Sequence, residues 1–303
     1  MSLALLFPGQ GGQHAGMLPW LDDAPQAQPA LAAMAHHLGP DWRSRLQDAD
    51  WLHTNAVAQP LLTALGVAAW QALAARLPPP AAVAGYSVGE LAAFAVAGVI
   101  AAADAIDLAA ARAAAMDACA GGSDTGLMCV QGLQALALAG AEPMLSLAIR
   151  ISAERVIVGG DTAALDEAGT RWTALGLRCA RLPVRVASHT PRMAPAAAEV
   201  ARRLAALRLN APRATVVCNH TGAGHRQPAT LAAALAGQIA STVLWDDCMD
   251  TLAERGVRCV LEVGPGTALA AMWRERHPGI PARALEEFKS PDGVAGWVQQ
   301  QCA

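Results

Sequence analysis

The sequence predicts an α/β protein built on a mainly parallel sheet with helices on both faces, and three observations carry that expectation. Strand-like apolar runs alternate with longer helical stretches over most of the chain, the order expected of strands joined by crossover helices. At 303 residues the chain can form one large domain, or one domain carrying a smaller insert. The character of the sequence changes between Gly121 and Pro183, where six shorter elements follow one another.

The elements read in order as follows. Leu3 to Phe7 is a first strand ending in Pro8-Gly9-Gln10-Gly11-Gly12-Gln13, and Gln59 to Arg76 is a long apolar helix broken by Pro78-Pro79-Pro80, since proline cannot continue a helix. Ala81 to Ala84 is the next strand, Glu90 to Ala97 a helix with Gly98 as its C-terminal cap, and Ala102 to Ala120 a second helix. Strand Leu127 to Val130, helix Leu133 to Leu145, strands Ala148 to Ile151 and Arg155 to Val158, helix Ala163 to Leu175 and strand Arg178 to Leu182 then follow. That β-α-β-β-α-β order is a split, ferredoxin-like unit. It divides the chain into a core of residues 1–121 and 184–303 and an insert of residues 122–183. The core resumes with a helix near Pro191, a strand Thr215 to Cys218, a helix Trp245 to Arg255 closed by Gly256, and a strand Cys259 to Val263 ending in Gly264-Pro265-Gly266.

Composition excludes several classes. Apolar residues make up 54% of the chain, but most of the excess is alanine and aromatics are only 4%, as in a helix-rich soluble protein. The uncharged stretch Thr125 to Ala141 is interrupted by Gly126, Gln131, Gly132 and Gln134 and falls short of the roughly 20 apolar residues a spanning helix needs. No membrane segment is expected, and the N-terminus reads as a buried strand rather than a leader, so the cytoplasm is the expected compartment. A net charge of −3 with no block of lysines or arginines gives no footprint for nucleic acid or an anionic membrane. The seven cysteines are scattered, without a Cys-x-x-Cys pair or a matching histidine spacing, and read as reduced thiols rather than metal ligands.

Chemistry is concentrated at Gly85-Tyr86-Ser87-Val88-Gly89. A serine between two glycines at a strand-to-helix corner is held on a sharp turn with its hydroxyl exposed over the helix N-terminus. By the geometry of such an elbow, the N–H of Val88 can serve an oxyanion, and a second N–H must come from another loop. A serine hydroxyl is a poor nucleophile near neutral pH and needs a base, for which histidine has the suitable pKa. Of the eight histidines, His189 follows an extended run and precedes Thr190-Pro191, a helix-start signature. His220 is a weaker candidate. Open α/β sheets bind ligands at the carboxyl ends of their strands, and both Ser87 and His189 are expected on that edge. Leu108, Arg112 and Met116 share one helix face, so Arg112 either snorkels to water or clamps a carboxylate in a dry pocket. The Gly-rich run Pro8 to Gln13 lacks the Gly-Lys-Ser/Thr ending of a phosphate loop.

Together, Phe7-Pro8-Gly9-Gln10-Gly11-Gly12-Gln13, Gly85-Tyr86-Ser87-Val88-Gly89-Glu90, Arg112, Ser188-His189 and Glu262-Val263-Gly264-Pro265-Gly266 resemble the malonyl-CoA:acyl carrier protein transacylase family over nearly the whole chain. The resemblance implies an α/β-hydrolase-like core with a ferredoxin-like insert. It also implies a ping-pong malonyl transfer from malonyl-CoA to the pantetheine-type arm of an acyl carrier protein, with no bound metal or redox cofactor. Carried over by position, Ser87 is the nucleophile, His189 the acid/base, Arg112 the partner of the malonyl carboxylate, Gln10 the second oxyanion donor beside Val88, and Gln238 the residue whose backbone carbonyl orients the histidine.

Within the family, Tyr86 and the polar segment Glu286 to Val294 are similar to the epsilon subunit of malonate decarboxylase, which charges that enzyme's own carrier protein. Three departures stand out. Tyr86 replaces the more usual histidine, Ile151 stands near a common asparagine, and Val186-Ala187-Ser188-His189 resembles the tetrapeptide modular synthases use for methylmalonyl units. Fatty-acid or polyketide synthesis is therefore the alternative setting. Two readings compete from other classes: a Ser-dependent esterase or thioesterase recruiting Asp161 or Asp166 as a third triad member, and a carrier-docking module without activity.

Overall fold

Leu3–Phe7 runs through the interior of a six-stranded sheet in the computed structural model, which describes residues 2–122 and 124–303. The strand order is Ala282–Ala284, Cys259–Glu262, Leu3–Phe7, Ala82–Gly85, Thr215–Val217 and Gly224–His225. The first five pair in parallel and the last closes an antiparallel edge hairpin. Side chains alternate across the sheet. Leu3, Leu5 and Phe7 face a core made with Asn55–Leu73, Gly89–Val96, Ala102–Ala120 and Ala194–Ala206, while Ala4 and Leu6 face Trp245–Glu254, Ala268–Arg276 and the insert. Burial on both faces is why these strands are continuous apolar runs rather than alternating ones.

The second sheet has the order Arg178–Arg181, Thr125–Gln131, Arg155–Asp161, Ser146–Ser152 and Val243–Leu244. The first four are antiparallel neighbours, while the fifth belongs to the C-terminal half of the chain and pairs in parallel with Ser146–Ser152. Beside that seam, Arg150 bonds Asp246 at 2.7 Å and Asp247 at 2.5 Å, and the Thr242 hydroxyl donates to the Leu147 carbonyl at 2.7 Å. One face of this sheet lies against the core and the other packs Ala135–Ala141 and Thr162–Ala174.

Several boundaries differ from those the sequence predicts. The long helix is Asn55–Leu73, beginning four residues early; Pro60 lies inside it, where its missing N–H forfeits only the bond to residue 56. The helix expected over Leu133 to Leu145 is Ala135–Ala141. Pro143 pushes Glu142 out of the helical region, to ψ 107°, and Gln134 at its start has φ 69°. Helices Gln28–Leu38, Pro228–Gly237, Ala268–Arg276 and Pro291–Cys302 were not anticipated.

The segment Asn55–Arg76 is long and apolar enough to cross a bilayer by length and composition. In its apolar 18-residue window 78% is buried within the protein, which makes it a core helix whose lipid-like face is spent on its neighbours.

Candidate active site

The elbow follows from packing constraints on its two glycines. A Cβ at Gly85 would collide with the backbone of Gly89 and Glu90, and one at Gly89 would collide with the Phe7 carbonyl, so the strand and the helix it feeds can approach this closely only through glycine. Between them Ser87 adopts φ 55°, a left-handed conformation that costs a non-glycine residue about 1 to 3 kcal/mol. His189 is likewise at φ 61°. Strain of this kind persists only where surrounding contacts hold it.

Those contacts are dense. Ser87 Oγ lies 2.7 Å from His189 Nε2, and His189 Nδ1 lies 2.7 Å from the carbonyl oxygen of Gln238. Because a carbonyl only accepts, Nδ1 carries the proton and Nε2 is the bare acceptor toward the serine hydroxyl. The His189 N–H donates to the Ile239 carbonyl at 3.0 Å, so the imidazole is fixed through both ring and backbone. Burial and the charge of Arg112 push its pKa down to about 3, against the Gln238 carbonyl, which acts to raise it. The resting imidazole is neutral.

Arg112 is 1% exposed, with Leu108 and Met116 buried beside it. The snorkelling alternative is therefore set aside: the head as well as the stem is inside. Nη1 donates to Gln59 Oε1 at 2.7 Å, Nη2 to Ser87 Oγ at 3.3 Å, and Nε has no partner among the described residues. Burial lowers its pKa to about 10, with Glu90 acting in the opposite sense. Glu90 is fully buried and burial raises its carboxyl to about 8, so at neutral pH this neighbour is largely uncharged. A guanidinium with no carboxylate in contact among the described residues stands next to the serine.

Gln10 sits in the loop that follows Phe7, whose strand is in register with Gly85; the Tyr86 N–H donates to the Phe7 carbonyl at 2.9 Å. The Gln10 side chain bonds Asn55 at 3.1 Å and Gln13 Oε1 caps the Gly11 N–H at 2.7 Å. The backbone N–H groups of Gln10 and Val88 make no hydrogen bond among the described residues. Gln238 is fully buried and also donates from Nε2 to the Ser87 carbonyl at 3.2 Å.

The structure thus brings together Ser87, His189, Gln238 and Arg112, with the Gln10 loop and Val88 alongside. It does not bring the expected rivals to them. His220 bonds Ser241 instead of the serine. The carboxylates that a Ser-Asp-His triad would recruit are elsewhere: Asp161 pairs with Arg192 and Asp166 with Arg181, and the slot behind His189 holds a backbone carbonyl. No group of three or more metal-ligating side chains occurs among the described residues, and the seven cysteines are free thiols.

Three more residues hold the site together, and the sequence assigns a role to none of them. Asn219 accepts from the Ser87 N–H at 2.7 Å and donates to the Gly85 carbonyl at 2.6 Å, Glu90 accepts from the Asn219 N–H at 2.7 Å, and Gln59 holds Arg112. Glu90 and Gln59 could have been found as polar residues inside apolar helical runs. Asn219 carried no such signal.

A strained serine on an elbow with a buried neutral imidazole as its acceptor is the arrangement that nucleophilic acyl transfer requires. The chain belongs to the acyl transferase domain family, whose model matches residues 4–279, and it is an acyltransferase. It is 37% identical to the malonyl CoA-acyl carrier protein transacylase of Mycobacterium tuberculosis over 97% of this chain and 99% of that one. It is 32% identical to the Escherichia coli K12 transacylase of the same name over 94% and 96%. Among solved structures it resembles the malonyl-CoA:acyl carrier protein transacylase of Xanthomonas oryzae with a TM-score of 0.90 at 31% identity, covering 99% of each chain. It also resembles a malonyl-transacylase solved in complex with a type II polyketide acyl-carrier protein, with a TM-score of 0.90 at 27% identity over 98% and 99%.

Proposed function

We propose that this acyltransferase moves a malonyl group from malonyl-CoA to the thiol of a pantetheine-type arm on an acyl carrier protein, through an ester on Ser87. The observation that carries the reading is Arg112: a buried guanidinium with Nε unpartnered and Nη2 on the nucleophile. An acyl group ending in a methyl has no use for it. A carboxylate can bridge the Nε and Nη2 edge, each charged hydrogen bond being worth about 1.5 to 3 kcal/mol.

The residues perform the cycle as follows. His189 Nε2 takes the Ser87 hydroxyl proton as Oγ attacks the thioester carbonyl, and the N–H groups of Val88 and Gln10 receive the charge that develops on its oxygen. The carbon–sulfur bond breaks and His189 returns its proton to the departing CoA sulfur. The carrier thiol then gives a proton to His189 and attacks the ester, and Ser87 leaves with that proton. The Gln238 carbonyl holds Nδ1–H throughout and stabilises the imidazolium in each half-reaction. A malonyl carboxylate on Arg112 also offsets one cause of the low His189 pKa, so the anionic substrate strengthens the base that acts on it. Residues 122–183 act as an insert forming one wall of the cleft and 1–121 with 184–303 as the catalytic core, keeping water from the acyl-serine.

The test compares acylation of Ser87 by malonyl-CoA and acetyl-CoA in wild type and Arg112→Ala. The malonyl rate is expected to fall on the order of 100-fold or more and the acetyl rate by only a few fold. Equal losses on both would remove the clamp.

A narrower reading, that the carrier is the one within malonate decarboxylase, is favoured by Tyr86, whose ring meets Trp245 edge-on at 5.1 Å where the more usual family residue is histidine. Faster transfer to a decarboxylase carrier than to a fatty-acid or polyketide carrier would support it, and the reverse would favour biosynthesis. A cytoplasmic location accords with either setting.

A further inference from the structure

We propose that Asn219 is a positioning residue for acyl transfer: its side-chain amide holds the strained serine and occupies the Ser87 N–H, leaving the Val88 N–H as the elbow's donor to the oxyanion. The proposal rests on the reading of Ser87 as nucleophile.

Asn219 follows Thr215–Val217, the strand paired with Ala82–Gly85 through Ala84 and Val217, and is fully buried. Its side chain is used in both directions. Nδ2 donates to the Gly85 carbonyl at 2.6 Å and Oδ1 accepts from the Ser87 N–H at 2.7 Å, so one planar group bridges two residues of the turn. Only an amide, or a protonated carboxyl of the same shape, supplies a donor and an acceptor from this position.

Asn219 is itself pinned. Its N–H donates to Glu90 Oε1 at 2.7 Å and its carbonyl accepts from the Leu244 N–H at 2.9 Å. Glu90 lies in the first turn of Gly89–Val96, the helix that the elbow feeds. Asn219 thereby joins the strand before the serine, the serine and the helix after it. From the opposite side, Gln238 Nε2 donates to the Ser87 carbonyl. Both backbone polar groups of Ser87 are thus held by buried side chains, and any relaxation of its φ of 55° must break one of them. An oxyanion donor acts only when it is already aimed, so loosening this turn costs rate rather than binding.

A fluorophosphonate probe tests this without any acyl substrate, because it needs only an activated serine and an oxyanion hole. Wild type, Asn219→Ala and Asn219→Asp are compared for the fraction of chains labelled, the maximal labelling rate and the half-saturating probe concentration, across pH 5.5 to 9. Asn219→Ala is expected to label to the same final fraction at a maximal rate about 10- to 100-fold lower, with half-saturation unchanged.

Asn219→Asp is expected to approach the wild-type rate when its carboxyl is protonated, since that form donates to Gly85 and accepts from Ser87. It should lose rate as pH rises through an ionisation additional to that of Glu90, which bonds the residue 219 N–H in both proteins, with the Cys248 thiol 4.0 Å from Nδ2 in wild type. A charge acting only on His189 would have the opposite sign, raising the imidazole pKa and slowing labelling at low pH.

A wild-type maximal rate in Asn219→Ala, or a lower labelled fraction at unchanged rate, would overturn the proposal. Should Asn219→Ala not fold, Asn219→Leu, which keeps the bulk but can neither donate nor accept, takes its place, and a wild-type maximal rate in that variant would overturn the proposal equally. Failure of wild type to label Ser87 would instead sink the nucleophile assignment beneath it.

Discussion

Around Ser87 the core's polar groups are buried and bonded to one another, whereas the insert is joined to the core in part by ion pairs open to solvent. His189, Gln238, Asn219 and Glu90 are each 2% exposed or less, and each bonds the elbow or another of these residues. Asp247, by contrast, is 45% exposed where it meets Arg150, and Arg192 and Asp161 are 48% and 44% exposed. Buried hydrogen bonds are costly to leave half made, while exposed ion pairs contribute little. The lesson is that the groups around Ser87 are held by buried bonds to one another while residues 122–183 meet the rest of the chain in part through exposed pairs, so substitutions of equal chemical size should have very unequal effects in the two regions.

Ser87→Ala is the most severe break, with acyl label on the protein abolished as read by mass spectrometry of the intact chain. Next, His189→Ala should slow acylation by about 10² to 10⁴-fold while the fold, followed by circular dichroism, is retained. Label forming at the wild-type rate in that variant would move the base to another residue.

The pH dependence of stability sharpens the contrast further. The Glu90 carboxyl is raised to about 8 by burial, so the folded state holds its proton more tightly than the unfolded chain. Its contribution is complete below the ordinary carboxylate range and is lost as pH rises toward 8. His189 has the opposite sign: buried neutral with a pKa of about 3, it costs stability as pH falls below about 6.5. Glu90→Gln removes the first effect, so the melting temperature of the variant relative to wild type should climb between pH 5 and pH 8. Glu262, raised to about 7 by burial, leaves both proteins a residual slope. A difference that is flat with pH would mean that Glu90 is ionised in the folded state.

The smallest effect is expected in the insert's seam. Arg192→Ala, which removes the exposed pair with Asp161, should cost about 0 to 1 kcal/mol of stability and leave the acylation rate within a few fold, measured by thermal unfolding and by label incorporation. A loss rivalling that of the core variants would mean that the insert sets the reacting geometry after all.

The core strands and the serine elbow were legible in sequence because each is a local pattern: a continuous apolar run, or two glycines spaced around a serine. Arg112 was legible as a charge in an apolar stripe, although its burial was not. Other features depended on tertiary contacts. The two-residue strand Val243–Leu244 exists because Ser146–Ser152 offers it an edge, and no periodicity announces two residues. Asn219 matters through a side-chain amide facing a backbone two strands' ends away in sequence, at positions 85 and 87. The apolar run Leu133 to Leu145 promises a longer helix than Ala135–Ala141, because the restriction Pro143 places on Glu142 outweighs it.

The account is tested most directly by brief mixing of the protein with radioactive malonyl-CoA, rapid denaturation and peptide mapping, followed in a parallel sample by a chase with carrier protein bearing its pantetheine-type thiol. It predicts label on the peptide containing Ser87, absent in Ser87→Ala and passing to the carrier in the chase. Label missing from that peptide, or released to water as free malonate rather than to the carrier, would contradict it.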